Sequence, residues 1–474
     1  MGLDATTMPQ ARGYKTIVFV ICIVAALGGL LFGLDQGFIN NALDTLTDHY
    51  QFETHDKESY SAILATGGIV GALLSGLFAR FLGRKRSLVL AGFIFCVASA
   101  YSALLPSLPI LSVCRFVLGF GVGIASFIVP LYLSETAPAS IRGSMGTLFQ
   151  LMITIGIFLI SVTNVFIAKM FANPQTALPL MFLTITFFAL FMFVGSFILP
   201  ESPRWLMLKG RRDEAFAVLR RTLNSEDEIE KEISEIAATL ESGAQSSRAF
   251  VLQGYFLKVL LLGVLLQMFQ QLVGINMMIY YSTTIFGYAG MKGLVAMMTV
   301  PTVNMLFTFP AIFLVEKWGR KNLLYVGAAV MLITMLVAGF AFQSIGDVSD
   351  PSLIGGGPKT LLLVAVILYI FGFAVSWGPV AWLVCSEIFP LGGREVGMTI
   401  TTMVNWTFAG LVMNYALSFM ERFGNASIFY VFAGFCVLAI LFVSMFVPET
   451  KGVTLEKIES NLKTGVRLRY LGRK

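Results

Sequence analysis

Twelve apolar stretches, each about long enough to cross a lipid bilayer, constrain this chain more than anything else in it. They lie near 17–44, 58–80, 87–106, 109–133, 143–171, 177–199, 255–289, 293–316, 322–345, 359–385, 395–420 and 426–447. A span needs roughly 20 apolar residues, because the hydrocarbon core is about 30 Å thick and a helix rises about 1.5 Å per residue. Inside that core each backbone N–H and C=O must find an internal partner, which for stretches of this length means helices. The expected fold class is an all-α membrane protein. A composition 57% hydrophobic, with mean hydropathy +0.81 over 474 residues, is far more apolar than a soluble core uses. The first stretch lacks the short apolar core and cleavage site of a removable leader.

A net charge of +6 raises the question of a nucleic-acid partner, and the distribution answers it. With both termini placed inside the cell, 27 of the 33 Lys and Arg fall in the termini and the inward connections. The outward connections hold Lys57, Lys169, Lys292, Lys359 and Arg422, and Arg115 stands within a span. The charge therefore sets topology by the positive-inside bias, and the partner is the lipid bilayer, with no nucleic acid. This predicts a multi-pass inner-membrane protein with cytoplasmic termini. Residues Asp44 to Asp56, including His49 and His55, read as a solvated outer loop.

Short phrases occur twice. GlyArgLys at 83–85 returns at 319–321, ProGluSerPro at 200 returns as ProGluThrLys at 448, and Glu135 with Arg142 returns as Glu387 with Arg394. The near-constant offsets indicate two duplicated six-span halves. The expected units are 1–199, an N-terminal half; 200–254, a cytoplasmic insert of short amphipathic helices; 255–450, a C-terminal half; and 451–474, a cytoplasmic tail. The repeated pieces all sit at cytoplasmic span ends. There Arg and carboxylate side chains either pair to hold an inner gate or simply anchor the topology.

Polar residues inside the spans point to what such a pair of halves handles. Gln267, Gln270, Gln271 and Gly274 fall at i, i+3, i+4 and i+7, so three amides share one helix face. Gly274 and Asn276 let the backbone loosen there. Amides in hydrocarbon are costly unless hydrogen-bonded. Without charge, they suit a neutral, hydroxyl-rich ligand such as a sugar, or else bond helix to helix. Counting from the charged span ends, Gln150, Asn304, Asn405 and Trp406 reach similar depth, roughly 12–18 Å into the core. Trp382 and Trp406 offer flat faces on which a sugar ring can stack, or serve as packing.

Asp35 follows eighteen residues without a charge. An intramembrane carboxylate is expensive and marks function by default. Arg115, eight residues into the fourth span, lies in the same outer half and is its natural partner. A movement that separates and rejoins them would switch Asp35 between protonated and ionised forms, the minimum a proton-coupled device requires. The five cysteines, Cys22, Cys96, Cys114, Cys385 and Cys436, lack metal-ligand spacing and read as packing residues. No nucleophile–base pair, metal cluster or phosphate loop appears, so neither catalytic residues nor cofactors are expected.

GlyArgLys at 83 and 319, ProGluSerProArg at 200–204, GlnGlnLeuValGlyIleAsn at 270–276, GlyProValAlaTrp at 378–382, AsnTrp at 405–406 and ProGluThrLysGly at 448–452 together resemble the sugar porter branch of the major facilitator superfamily, over essentially the whole chain. The resemblance implies twelve helices in two six-helix halves. It implies that Gln150, Gln270, Gln271, Asn276, Asn304, Trp382 and Asn405 contact a monosaccharide, with Gln267 on the same helix face. Tyr280 and Tyr281 match an outer lid, and Glu135, Arg142, Glu316, Arg320, Glu387 and Arg394 an inner gate, to which the repeated phrases add Arg84, Glu201, Arg204 and Glu449. Asp35 and Arg115 match the proton-coupling pair of bacterial members similar to the galactose and xylose symporters. Arg80 departs from the family, standing where an aspartate is usual. The expectation is a monomeric symporter of a hexose such as D-glucose with a proton; a passive uniporter or a non-transporting sugar sensor are the rivals.

Overall fold

The computed structural model describes residues 16–137, 142–242, 253–346, 355–390, 393–453 and 455–472. It is all-helical across these residues. The first half comprises α1 (Thr16–Tyr50), α2 (Thr54–Phe81), α3 (Arg84–Ser102), α4 (Leu108–Thr136), α5 (Arg142–Met170) and α6 (Pro174–Ser196). The short helices α7 (Pro203–Leu208), α8 (Arg212–Thr222) and α9 (Glu226–Ser242) follow. The second half comprises α10 (Gly254–Leu272), α11 (Ile275–Tyr288), α12 (Leu294–Trp318), α13 (Arg320–Ile345), α14 (Gly356–Val375), α15 (Trp377–Ile388), α16 (Arg394–Phe423) and α17 (Ser427–Met445), and α18 (Leu455–Lys463) lies in the tail.

Counting α10 with α11 and α14 with α15 as single spans, eleven of these are long and apolar enough to cross a membrane. The twelfth expected crossing is α3, only 19 residues long and opening on Arg84, Lys85 and Arg86; it packs between α4 and α6. One expectation fails at the far end of α1. The helix runs on through Asp44 to Tyr50, where the Tyr50 hydroxyl donates to the Pro106 carbonyl at 2.8 Å, so 44–50 is not loop. His49 is half-buried with its ring edge-on to Tyr50, and only His55 is exposed.

Two spans are broken. Gly274 sits at φ +97°, and a Cβ there would come 2.6 Å from the Phe432 ring, so glycine alone fits this left-handed turn. The break frees the Val273 carbonyl, which accepts from the Tyr369 hydroxyl at 2.8 Å. The second break, at Ser376, is held by the Trp377 indole donating to the Leu324 carbonyl at 2.9 Å. Broken backbone at membrane depth survives because neighbouring helices satisfy it in this way.

Within the first half, α1 lies against α5 and α2 against α4; between halves, α2 packs on α16, α5 on α12 and α1 on α11. Small residues allow these approaches: a side chain on Gly33 would run into the Ile153 carbonyl, and TM helices lacking a hydrophobic drive toward each other rely on such close contact. Helices α7 to α9 bury Trp205, Leu206, Leu219, Ile229 and Ile233 in a small core of their own. This suits their amphipathic sequence.

Candidate functional site: an amide cleft and a buried ion pair between the halves

A cleft of about 40 Å³ opens where the two halves meet. Gln36, Gln150, Phe32, Ile153 and Ile157 line it from the first half; Gln270, Gln271, Asn276, Asn304, Trp382 and Asn405 line it from the second, with Ile275, Ile279 and Phe373. The amides are bonded in series. Asn405 donates to Gln267 Oε1 at 2.7 Å and to Gln270 Oε1 at 2.5 Å. Gln271 donates to Asn405 Oδ1 at 3.0 Å, Asn276 to Gln271 Oε1 at 2.5 Å, and Gln36 to Asn276 Oδ1 at 3.3 Å. The turn at Gly274 places Asn276 on a separate helix from Gln271, so the two amides meet head to head across the break.

Not every expected residue faces the cleft. Gln267 lies behind it, its amide nitrogen 3.8 Å from the Cys385 sulfur. Trp406 is buried against Phe32, with centroids 4.9 Å apart, and donates to Ser126 Oγ at 3.3 Å; it packs half against half instead of presenting a face. Trp382 is half-buried at the rim, edge-on to Phe149. Asn304 Oδ1 is buried in the lining without a hydrogen-bond partner among the described residues.

One residue before Gln36, Asp35 pairs with Arg115 through Oδ1 and Nη1 at 2.6 Å, both side chains almost wholly buried. The pair is under-satisfied: Asp35 Oδ2 and Arg115 Nε and Nη2 lack partners among the described residues, and the guanidinium lies 5.3 Å from the Tyr60 ring centre. A buried pair joined by one bond, with unpaired polar atoms on both sides, gains too little to offset its desolvation firmly.

At the arginine end of the bundle, the duplicated phrases build the same cluster twice. Arg84 holds Glu135 with two bonds of 2.8 Å, donates to the Ala79 carbonyl, and its backbone N–H meets Glu201 at 2.9 Å. Arg320 holds Glu387 at 2.9 and 3.3 Å, donates to the Val315 carbonyl, and its N–H meets Glu449 at 3.0 Å. Ser202 and Thr450 donate to Glu135 and Glu387 in turn, each at 2.5 Å. Glu316 completes the second cluster, 3.1 Å from Arg320. Glu135 and Glu387 thus pair with the arginines of the two GlyArgLys phrases, Arg84 and Arg320. Arg394 opens α16 and Arg204 lies on α7; the side chain of Arg142 lies outside the described residues.

Over residues 21–462 the chain matches the model of the family described as "Sugar (and other) transporter". It belongs to this family of sugar transporters. It is 39% identical to the galactose-proton symporter of Escherichia coli over 98% of each chain, and 34% identical to the arabinose-proton symporter of the same organism over 99% of this chain and 98% of that one. The major facilitator superfamily proton:xylose symporter XylE, solved with 6-bromo-6-deoxy-D-glucose, superposes with a TM-score of 0.82 at 31% identity, covering 94% of this chain and 98% of the other. The transporter therefore has the major facilitator fold, is a multi-pass inner-membrane protein, and is a carrier, not an enzyme.

The opposite end of the transporter carries contacts that no motif in the sequence signals. Glu58, fully buried, accepts from the Ser418 N–H at 2.8 Å and from the Ser418 hydroxyl. Thr54 donates to Glu421 at 2.5 Å, and Asn40 accepts from Ser282 at 2.9 Å. Tyr281 donates to the Met413 carbonyl at 2.7 Å, and Tyr280 is buried with its hydroxyl unpartnered among the described residues. With Arg84 also 3.1 Å from Glu395 of the other half, side-chain contacts join the halves of the sugar transporter at both ends. The signals for Gln36, Glu58 and Glu395 were slight: each stands beside a residue already singled out or in the polar start of a span.

Proposed function

We propose that this sugar transporter carries a monosaccharide, a hexose such as D-glucose, into the cell together with a proton, by alternating access, as a monomer with both termini in the cytoplasm. The carrying observation is the sealed Asp35–Arg115 pair lying one residue from Gln36 in the wall of the amide cleft. Uncharged amides on two halves suit hydroxyl groups, which replace the amide-to-amide bonds when sugar enters. A proton on Asp35 breaks the pair and leaves the Arg115 charge buried alone, a cost relieved only when the halves rearrange around it, which biases one arrangement over the other. Coupling follows when the carrier turns either with both passengers or with neither.

Counterflow of labelled sugar through Asp35→Asn in proteoliposomes should persist while uphill accumulation driven by a pH gradient is lost; accumulation that survives the substitution removes the coupling role. Sugar-induced alkalinisation of a weakly buffered cell suspension separates symport from passive transport. Competition of labelled glucose uptake by xylose, galactose and fructose ranks the sugars, whose sites differ by contacts worth about 1–3 kcal/mol.

A further inference from the structure

Gln36 belongs to none of the motifs, yet its position is singular. It lines the cleft from α1 at 5% exposure, directly after Asp35. Of the side-chain hydrogen bonds among the described cleft-lining residues, its bond to Asn276 Oδ1 joins one half to the other. The remaining amide bonds, from Gln267 through Asn405, Gln270 and Gln271 to Asn276, stay within the second half. The bond also spans a narrow cleft. About 40 Å³ holds a few waters and falls well short of the roughly 300 Å³ or more of ligand pockets. Sugar therefore enters only if the walls part, and parting them pulls Gln36 away from Asn276.

We infer that Gln36 is a positioning residue for the return of the empty carrier: its amide bridges to Asn276 where a sugar bridges the halves in the loaded carrier. A carrier must pass through a closed state on both legs of its cycle. On the loaded leg, sugar hydroxyls tie α1 to α11. On the empty leg no ligand does so, and without Gln36 no side-chain hydrogen bond among the described cleft-lining residues would join the halves. The Gln36 amide supplies that bond and closes the amide series. Because Gln36 follows Asp35, the bond also fixes the α1 backbone where Arg115 holds the carboxylate, so empty closure and the re-formed ion pair favour each other. The inference rests on the transport reading above and adds to it which residue sets the speed of the empty leg.

The experiment compares two rates in proteoliposomes, both at saturating glucose: net uptake into sugar-free vesicles, which requires the empty leg, and counterflow, which bypasses it. In Gln36→Leu, the ratio of net uptake to counterflow should fall roughly five-fold relative to the unsubstituted protein, the size expected when one bond to a buried amide is lost. An unchanged ratio overturns the inference, whether the two rates are normal or fall together as they would for a simple sugar contact or a packing defect. Should the Leu variant fail to accumulate in the membrane, Gln36→Thr, too short to reach Asn276, carries the same expectation. Absence of counterflow in the unsubstituted protein would instead count against the transport reading itself.

Discussion

The clusters around Arg84 and Arg320 are the same device built on two copies of one sequence, and they differ at a single corner. Both arginines follow a glycine at positive φ, +91° at Gly83 and +84° at Gly319, where a Cβ would strike Glu201 or Glu449. Both clamp one carboxylate from the end of the next span and hold one more through the backbone. The fourth place differs. In the second half Glu316 fills it from four residues upstream. In the first half the corresponding position is Arg80, which lies over the Phe81 ring and cannot pair with another cation. Arg84 takes Glu395 from the opposite half instead, at 3.1 Å. One exchange of charge turns a closed local cluster into a tie between halves. The departure at Arg80 is what leaves Arg84 free to make that tie.

The largest effect should come from removing the arginines. Glu135 is 6% exposed and Glu387 17%, and stripping a buried carboxylate of its partner costs about 3–5 kcal/mol. Arg84→Ala should therefore lower the thermal midpoint in detergent more than Arg320→Ala; equal losses would mean that burial and the cross-half tie add nothing. A smaller effect separates the third carboxylate of each cluster. Glu395 and Glu316 are 46% and 49% exposed, and each such pair is worth about 0.2–1 kcal/mol. Stability should change little in either Gln variant, but amide hydrogen exchange at the start of α3 and α16 should quicken in Glu395→Gln alone. The same quickening in Glu316→Gln would erase the proposed asymmetry. The smallest effect is expected for Arg80→Glu, which offers Arg84 the local partner that Arg320 has, worth about 0.3–0.5 kcal/mol. In that background Glu395→Gln should lose most of its effect on exchange, and a full remaining effect would separate the tie from the charge at position 80.

Much of this was legible in the chain. Asp35 and Arg115 stood out because ionisable groups inside apolar spans are rare, and their pairing follows from depth alone. The arginine clusters were visible as repeats, but which arginine holds which carboxylate, Arg84 on Glu135 and Arg320 on Glu387, came from the fold. Gln267, Gln270 and Gln271 fell on one helical face, yet only the latter two line the cleft, because Asn405 of α16 sits between Gln267 and the opening. Trp406 shows the same limit: its depth was foreseeable and its direction was not.

By itself the sequence determined the number of spans, their duplication, and which polar groups had to find partners inside the membrane, since hydrocarbon leaves no other choice to an apolar stretch or an embedded amide. Tertiary structure alone decided who those partners are. Glu395 reaching Arg84, Glu58 holding Ser418 and Gln36 meeting Asn276 join residues more than two hundred positions apart. Such bonds depend on how the two halves lean together, and no local periodicity records that angle.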